Sequence, residues 1–152
     1  MYTFYVTVHA LPADCSPGPV IELGGRTLHT LNIARETLSK TPMSTSFEET
    51  RERLSSLVRM YCEPDGSFVW VSSQGEPSWQ VDGNLYDLAE RLLFIDLKGT
   101  CPGEALDQLL TAFGWPAMRV MFQLTREAVF LDEAEFRHHA VERGQVTGYR
   151  GQ

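Results

Sequence analysis

The sequence predicts an α+β domain: a single antiparallel sheet of about five or six strands, with two main helices packed on one face. Segments of alternating apolar and polar residues, typical of half-buried strands, occur near the N-terminus, in the centre and near the C-terminus. Between them lie two segments whose apolar residues recur at helical spacing. Because the strands come in runs rather than in strict alternation with helices, the pattern favours an antiparallel sheet.

Length and composition predict one folded domain. The chain has 152 residues, of which 43% are hydrophobic and 22% are charged, and these are ordinary values for a globular protein. We expect the domain to span residues 1–143. Residues 144–152 contain glycines and no apolar pattern, so we expect a flexible C-terminal tail there.

The formal net charge of −7 argues against two classes of partner. With no basic cluster in the sequence, we expect neither nucleic-acid binding nor attachment to an anionic membrane. The first ten residues alternate in polarity, unlike a signal peptide, and no apolar run approaches the ~20 residues of a membrane span. Three cysteines without C-x-x-C spacing, and adjacent histidines that cannot easily share one ion, indicate no metal site. We therefore expect an acidic cytoplasmic protein without a cofactor.

The N-terminal part predicts one half-buried strand and two shorter elements. Thr3–Ala10 alternates in polarity throughout and predicts a half-buried strand. Val20–Leu23 predicts a short strand that ends at two glycines. Residues 26–38 have two interpretations: a strand over 26–33, or a short helix that is capped by Thr30 and carries Ile33, Ala34 and Leu38.

A helix over 47–60 is much better specified. Ser46 and Glu49 form an S-x-x-E capping box, in which each residue satisfies an amide at the start of the helix. The apolar residues that follow share one face of the helix. We expect this face to dock on the sheet.

The centre of the chain predicts a three-stranded meander. Its strands lie near 68–71, 79–86 and 93–97, and its turns lie near 74–77 and 88–91. In the second strand, Gly83 would mark a bulge or the close approach of another backbone. A helix over 85–93 is the alternative, because the leucines of this segment also fit a helical stripe.

The C-terminal part predicts two helices and two strands. Pro102 at the first turn and Gly114 at the end delimit a helix, with Thr100 or Cys101 as its cap. Strands over 118–124 and 128–131 follow, and then a helix over 133–143 that is capped by Asp132. We expect the first strand of the chain to pair with one of these C-terminal strands.

Four residues are candidates for catalysis. In the predicted meander, Asp82 and Asp96 lie on neighbouring strands, and Tyr86 shares the face of Asp82. A register that places the two carboxylates opposite each other would create an acid–base or cation site, because like charges destabilise one another. Cys101 lies at a predicted helix N-terminus, where the helix dipole would lower the pKa of a thiol. For each group, ordinary packing or solvation is the competing explanation.

Trp70, Trp79 and Tyr86 are candidates for binding, because tryptophan and tyrosine dominate binding hot spots. Cross-strand packing explains the same residues without a ligand. No nucleotide, protease or hydrolase motif occurs in the sequence. We therefore expect a non-enzymatic protein-interaction or homo-oligomerising module that uses an aromatic-bearing sheet surface. The alternative is a small-molecule-binding or hydrolytic enzyme with an acidic site on the sheet.

Overall fold

The apolar–polar alternation of the chain is realised as nine strands that pair in one antiparallel sheet. The structure is a computed structural model that describes residues 1–141. The strands are β1 (Tyr2–Ala10), β2 (Ser16–Leu23), β3 (Arg26–Asn32), β4 (Met60–Cys62), β5 (Ser67–Val71), β6 (Gln80–Leu88), β7 (Arg91–Cys101), β8 (Val120–Leu124) and β9 (Val129–Asp132). The helices are α1 (Arg35–Leu38), α2 (Phe47–Ser55), α3 (Gly103–Ala112) and α4 (Glu133–Ala140).

The N-terminal strand lies at the centre of the sheet. The strand order is β2-β3-β9-β8-β1-β7-β6-β5-β4, so β1 pairs with β8 on one side and with β7 on the other. The expectation that the first strand pairs with a C-terminal strand is confirmed. On the helix side of the sheet, Val6 and Val8 of β1 are completely buried.

The predicted sheet of five or six strands is wrong, because the sheet has nine strands within residues 1–141. The edge strand β2 begins at Ser16, earlier than the strand predicted over Val20–Leu23, and includes Pro17 and Pro19. Proline is tolerated at an edge because the backbone there need not donate on both sides. In β3, Leu28 and Thr30 are buried, whereas Thr27 and His29 are exposed, so the strand interpretation of 26–33 is correct and a helix capped by Thr30 is wrong.

The strand β4 lies where the helix beginning at 47 was expected to continue. This helix, α2, ends at Ser55, and Arg59 adopts a positive φ of 65° that turns the chain into β4. The predicted end at residue 60 is therefore too late. The predicted cap is present, because the Ser46 hydroxyl accepts a hydrogen bond from the Glu49 amide at 3.0 Å.

Helices α2, α3 and α4 contribute to one hydrophobic core on one face of the sheet. Their buried residues include Leu54, Leu109 and Phe136, which belong to the same core cluster as Ile95 and Leu97 of β7. Three helices therefore share this face, rather than the two that were predicted. Helix α1 lines a cavity together with Gln123 and Phe130, whose side chains lie on the opposite face.

The central meander is confirmed. Strands β5, β6 and β7 pair in sequence, and Ala89 and Glu90 have positive φ angles in the turn between β6 and β7. The alternative helix over 85–93 is wrong. Gly83 marks a close approach, as predicted, but the approaching group is the ring of Phe68, directly opposite on β5, and not a backbone.

The C-terminal elements mostly follow the predictions. Helix α3 begins after Pro102 without a side-chain cap, and Cys101 is the last residue of β7. Helix α4 is capped by Asp132, as predicted, and ends at Ala140 rather than at 143. The predicted tail, 144–152, lies outside the described residues. No helix within residues 1–141 is long and apolar enough to cross a membrane.

We predict that Gly83→Ala destabilises the protein by about 1–3 kcal/mol, the usual cost of overpacking a core. The new methyl group would overlap the Phe68 ring, which is almost completely buried and cannot move aside freely. Urea denaturation of the purified variant measures the loss. In Gly103→Ala, the nearest atom to the new methyl group is 3.4 Å away, so this control should be neutral or stabilising. Equal stability of Gly83→Ala and the wild type would contradict the prediction.

Candidate functional site

The candidate site is the sheet face opposite α2, α3 and α4. Its strands present alternate residues away from the helices, and cross-strand pairing arranges these residues in rows that run across the sheet. We call the part of this surface on β4–β7 and the first half of β1 the open face. Its residues are Tyr5, Thr7, Tyr61, Ser67, Val69, Gln80, Asp82, Asn84, Tyr86, Phe94, Asp96 and Lys98.

An aromatic row crosses this face at the end where β6 turns into β7. The rings of Tyr86 and Phe94 stack at a centroid distance of 4.6 Å, and Phe94 stacks on His9 at 5.4 Å. The ring of Phe130 then meets His9 edge-on at 5.8 Å. The row is accessible at the Tyr86 end, where the side chain is 40% exposed, and closed at His9, which is 8% exposed.

His9 is a neutral, buried histidine within this row. Burial lowers its pKa to about 4, because the imidazolium form would lose its hydration. Its Nε2 atom lies 2.8 Å from the Thr7 hydroxyl, which donates to Oε1 of Gln123 at 3.3 Å. Since the Thr7 proton is directed at Gln123, Nε2–H of His9 is the donor to Thr7. His9 therefore connects the aromatic row to a polar row without carrying charge at neutral pH.

The polar row holds one of the predicted catalytic carboxylates. Asp96 of β7 lies between Asn84 of β6 and Thr7 of β1, and burial raises the pKa of its carboxyl. The Oδ1 atom of Asn84 is buried and has no hydrogen-bond partner in the described part of the chain.

A third row, which we call the charged row, brings together exposed apolar and charged residues. It runs Tyr61, Val69, Asp82, Lys98, Tyr5 across β4, β5, β6, β7 and β1. Tyr61 is 60% exposed and Tyr5 is 41% exposed. The Lys98 ammonium lies 5.3 Å from the centre of the Tyr5 ring, and the Asp82 carboxylate accepts a hydrogen bond from Gln80 at 2.9 Å. Lys98, Val69 and Tyr5 are not among the predicted site residues, although the alternation of their strands marks them as outward-facing.

The structure does not pair the two predicted carboxylates. Asp82 lies opposite Lys98, and Asp96 lies opposite Asn84. The register that would have created a like-charge pair is therefore not formed. Residues 1–141 contain no group of three or more His, Cys, Asp or Glu side chains that could hold a metal ion. This arrangement gives no geometric support to an acid–base or cation site at Asp82 and Asp96.

Of the other predicted site residues, Tyr86 lies on the open face, and Trp70, Trp79 and Cys101 lie away from it. Trp70 points into the core on the helix side, where its indole nitrogen donates to the Val58 carbonyl at 2.9 Å. Trp79 is partly buried and meets Trp70 edge-on at 5.0 Å, so the two tryptophans pack against each other. Cys101 is completely buried, and burial raises the pKa of its thiol to about 12, the opposite of the shift that a reactive thiol needs.

A groove with a volume of about 720 Å³ lies between α2 and α3. The charged residues that line it are already paired. Arg53 bonds to Glu49 at 2.9 Å, and Asp107 bonds to Arg137 at 2.7 Å. Among its lining residues, the groove therefore offers a ligand no unpaired charge, whereas Asp82 and Lys98 of the open face form no ion pair with a described residue.

Comparison of the chain with protein-family models, curated proteins and solved structures finds no match.

We predict that His9 makes the protein less stable as the pH falls from about 6.5 to 4. The folded-state pKa of about 4 lies below the ordinary value of 6.5, so the unfolded chain binds more protons in this interval and stability falls with pH. At pH 5 the loss relative to pH 8 is about 2 kcal/mol. Urea denaturation across this range measures it.

The control for this prediction is His9→Gln, which is uncharged at every pH and retains a polar group beside Thr7. Its stability should change less between pH 8 and pH 5, by about the amount attributed to His9, whereas exposed His29→Gln should behave like the wild type. Parallel pH profiles for wild type and His9→Gln would contradict the prediction.

Proposed function

We propose that this protein is a non-enzymatic protein-interaction module, and that its binding surface is the open face of the sheet. The observation that carries the proposal is the exposure of Tyr5, Tyr61, Val69 and Tyr86 on one continuous face, while three helices bury the other. Tyrosine is enriched in binding hot spots because it buries a large rigid ring at low conformational cost.

The charges of this face favour a surface that binds a specific partner over one that binds proteins nonspecifically. Asp82 and Lys98 lie between Val69 and Tyr5, so a partner must match charges of both signs within an apolar border. Such complementarity contributes more to specificity than to affinity. The register of the strands keeps these side chains at fixed spacing, because each of them lies on a paired strand.

The chemistry of the candidate catalytic groups favours interaction over catalysis. The buried thiol of Cys101 has a raised pKa, and the carboxylates of Asp82 and Asp96 each face a different partner. A hydrolytic site would require a nucleophile or a base within hydrogen-bond reach of the reacting group. The open face instead combines rings, amides and isolated charges, a composition that suits recognition.

We predict that a photo-crosslinking residue on the open face captures a defined protein partner. Tyr86→p-benzoylphenylalanine places the probe on an exposed position of β6, and the protein is irradiated in the cells that produce it. We expect one major crosslinked product, identified by mass spectrometry. A second substitution, Val69→Lys, should abolish this product because it places a charge in the apolar border of the face.

The matched control is Val58→p-benzoylphenylalanine, which places the same probe on an exposed residue outside the open face. It should not give the product. The same crosslinks from positions 58 and 86, or a product that survives Val69→Lys, would refute the proposal.

A further inference from the structure

We infer that the partner of the open face is a second copy of this chain, packed face to face about a two-fold axis that runs along the strands between β6 and β7. The inference rests on the proposed function, since it names the partner of the same surface.

Such an axis reverses the order of the strands while it keeps each row in place. Viewed through the interface, β6 of one copy lies over β7 of the other, and β5 lies over β1. Two antiparallel sheets that pack face to face about 10 Å apart keep their strands within roughly 30° of each other, so the rows stay in register near the axis. The contacts of the dimer are therefore predicted directly from the strand register.

The charged row is complementary to its own reversed copy. Because Asp82 and Lys98 are cross-strand neighbours on β6 and β7, the axis places Asp82 of each copy over Lys98 of the other. Two equivalent ion pairs form in each dimer. Within one chain, Asp82 and Lys98 form no ion pair with any residue of the described range, so both are available for this contact.

The neighbouring rows match in the same way. Apolar Val69 lies over Tyr5 of the other copy, since β5 and β1 are equidistant from the axis. Tyr86 lies over Phe94, which extends the aromatic stack between the copies. The Asn84 amide lies over Asp96, where its N–H groups can donate to the carboxylate oxygens.

A two-fold axis perpendicular to the strands and along the Asn84–Asp96 row is unfavourable on charge. An axis along the Asn84–Asp96 row would place each strand on its own copy, and Asp96 would then lie on Asp96. Like charges across an interface are unfavourable.

The area of the open face is also sufficient for a dimer interface. Five strands ~4.8 Å apart, and the six steps of ~3.3 Å from Gln80 to Tyr86 along β6, give a patch on the order of 20 by 20 Å at its longest strand. Its accessible surface is comparable with the ~800 Å² that a standard interface buries on each partner.

Charge reversal tests the axis. Asp82→Lys and Lys98→Asp are made separately, and light scattering with size-exclusion chromatography measures the mass of each purified chain. The wild type should be a dimer. Each single variant should dissociate, with a dissociation constant raised on the order of a hundredfold, because the two-fold axis brings like charges together twice.

The decisive result comes from mixing the two variants in equal amounts. In a mixed dimer, the Asp82→Lys chain presents a cation at both positions of the charged row, and the Lys98→Asp chain presents an anion at both. Each contact then joins opposite charges, so the mixture should dimerise again. The variant that carries both substitutions should also dimerise by itself. Glu52→Lys, the same charge change on an exposed residue of α2, should dimerise like the wild type.

A wild-type chain that stays monomeric at about 100 μM overturns the inference. So does a dimer that both single variants leave intact, or a mixture of the two variants that stays monomeric although each is folded by circular dichroism. If a variant does not fold, weakening of the wild-type dimer by salt and a Tyr86 crosslink to the peptide containing Phe94 support the axis, and their absence overturns it.

These outcomes are distinguishable from failure of the proposed function. A monomer whose residue 86 crosslinks to a different protein, with loss of the product in Val69→Lys, retains the interaction surface and loses only the self-association.

Discussion

The structure depends on the pairing of β1 with two strands that are distant in sequence. Tyr2–Ala10 pairs with Arg91–Cys101 on one side and with Val120–Leu124 on the other. In the described sheet, this strand joins the half formed by β4–β7 to the half formed by β2, β3, β8 and β9. Because these pairings close long loops, their entropic cost is met only when the buried face of β1 packs under the helices.

The same pairing creates the two faces of the protein. Val6 and Val8 point into the core, and Tyr5, Thr7 and His9 therefore point to the other side. A slip of one residue in the register would exchange the faces and bury Tyr5 and Thr7 in the core. The strong cost of that exchange keeps the rows of the open face aligned, so the arrangement of its charges and rings is as well determined as the core.

The chemistry of the open face follows from how far each row is covered. His9 and Asp96 are partly or fully withdrawn from water, and both shifts in pKa favour the neutral form. Asp82 and Lys98 remain exposed and retain their hydration. The face therefore presents exposed charges of opposite sign side by side on β6 and β7, a pattern that orients a partner more than it activates a substrate.

The sequence alone predicted most of the local structure. The capping residues Ser46 and Asp132, the turns of the meander and the alternation of β1 and β7 are short-range signals, since each depends on residues within a few positions. The number of strands was underestimated because β3 was left open between a strand and a helix, and because the three residues of β4 are too few to carry an alternating pattern. The end of α2 was also missed, because the turn at Arg59 depends on a positive φ that a non-glycine residue seldom adopts.

The sequence by itself determined which residues of each strand share a face, because side chains alternate with a period of two along any strand. Only the tertiary structure decided which strands are neighbours and with what offset. That decision placed Lys98 rather than Asp96 opposite Asp82, put Trp70 under the helices, and brought His9 beside Phe94 and Phe130. The physical reason is that register between distant strands is set by the packing of the whole buried face, and no segment of the chain contains that information alone.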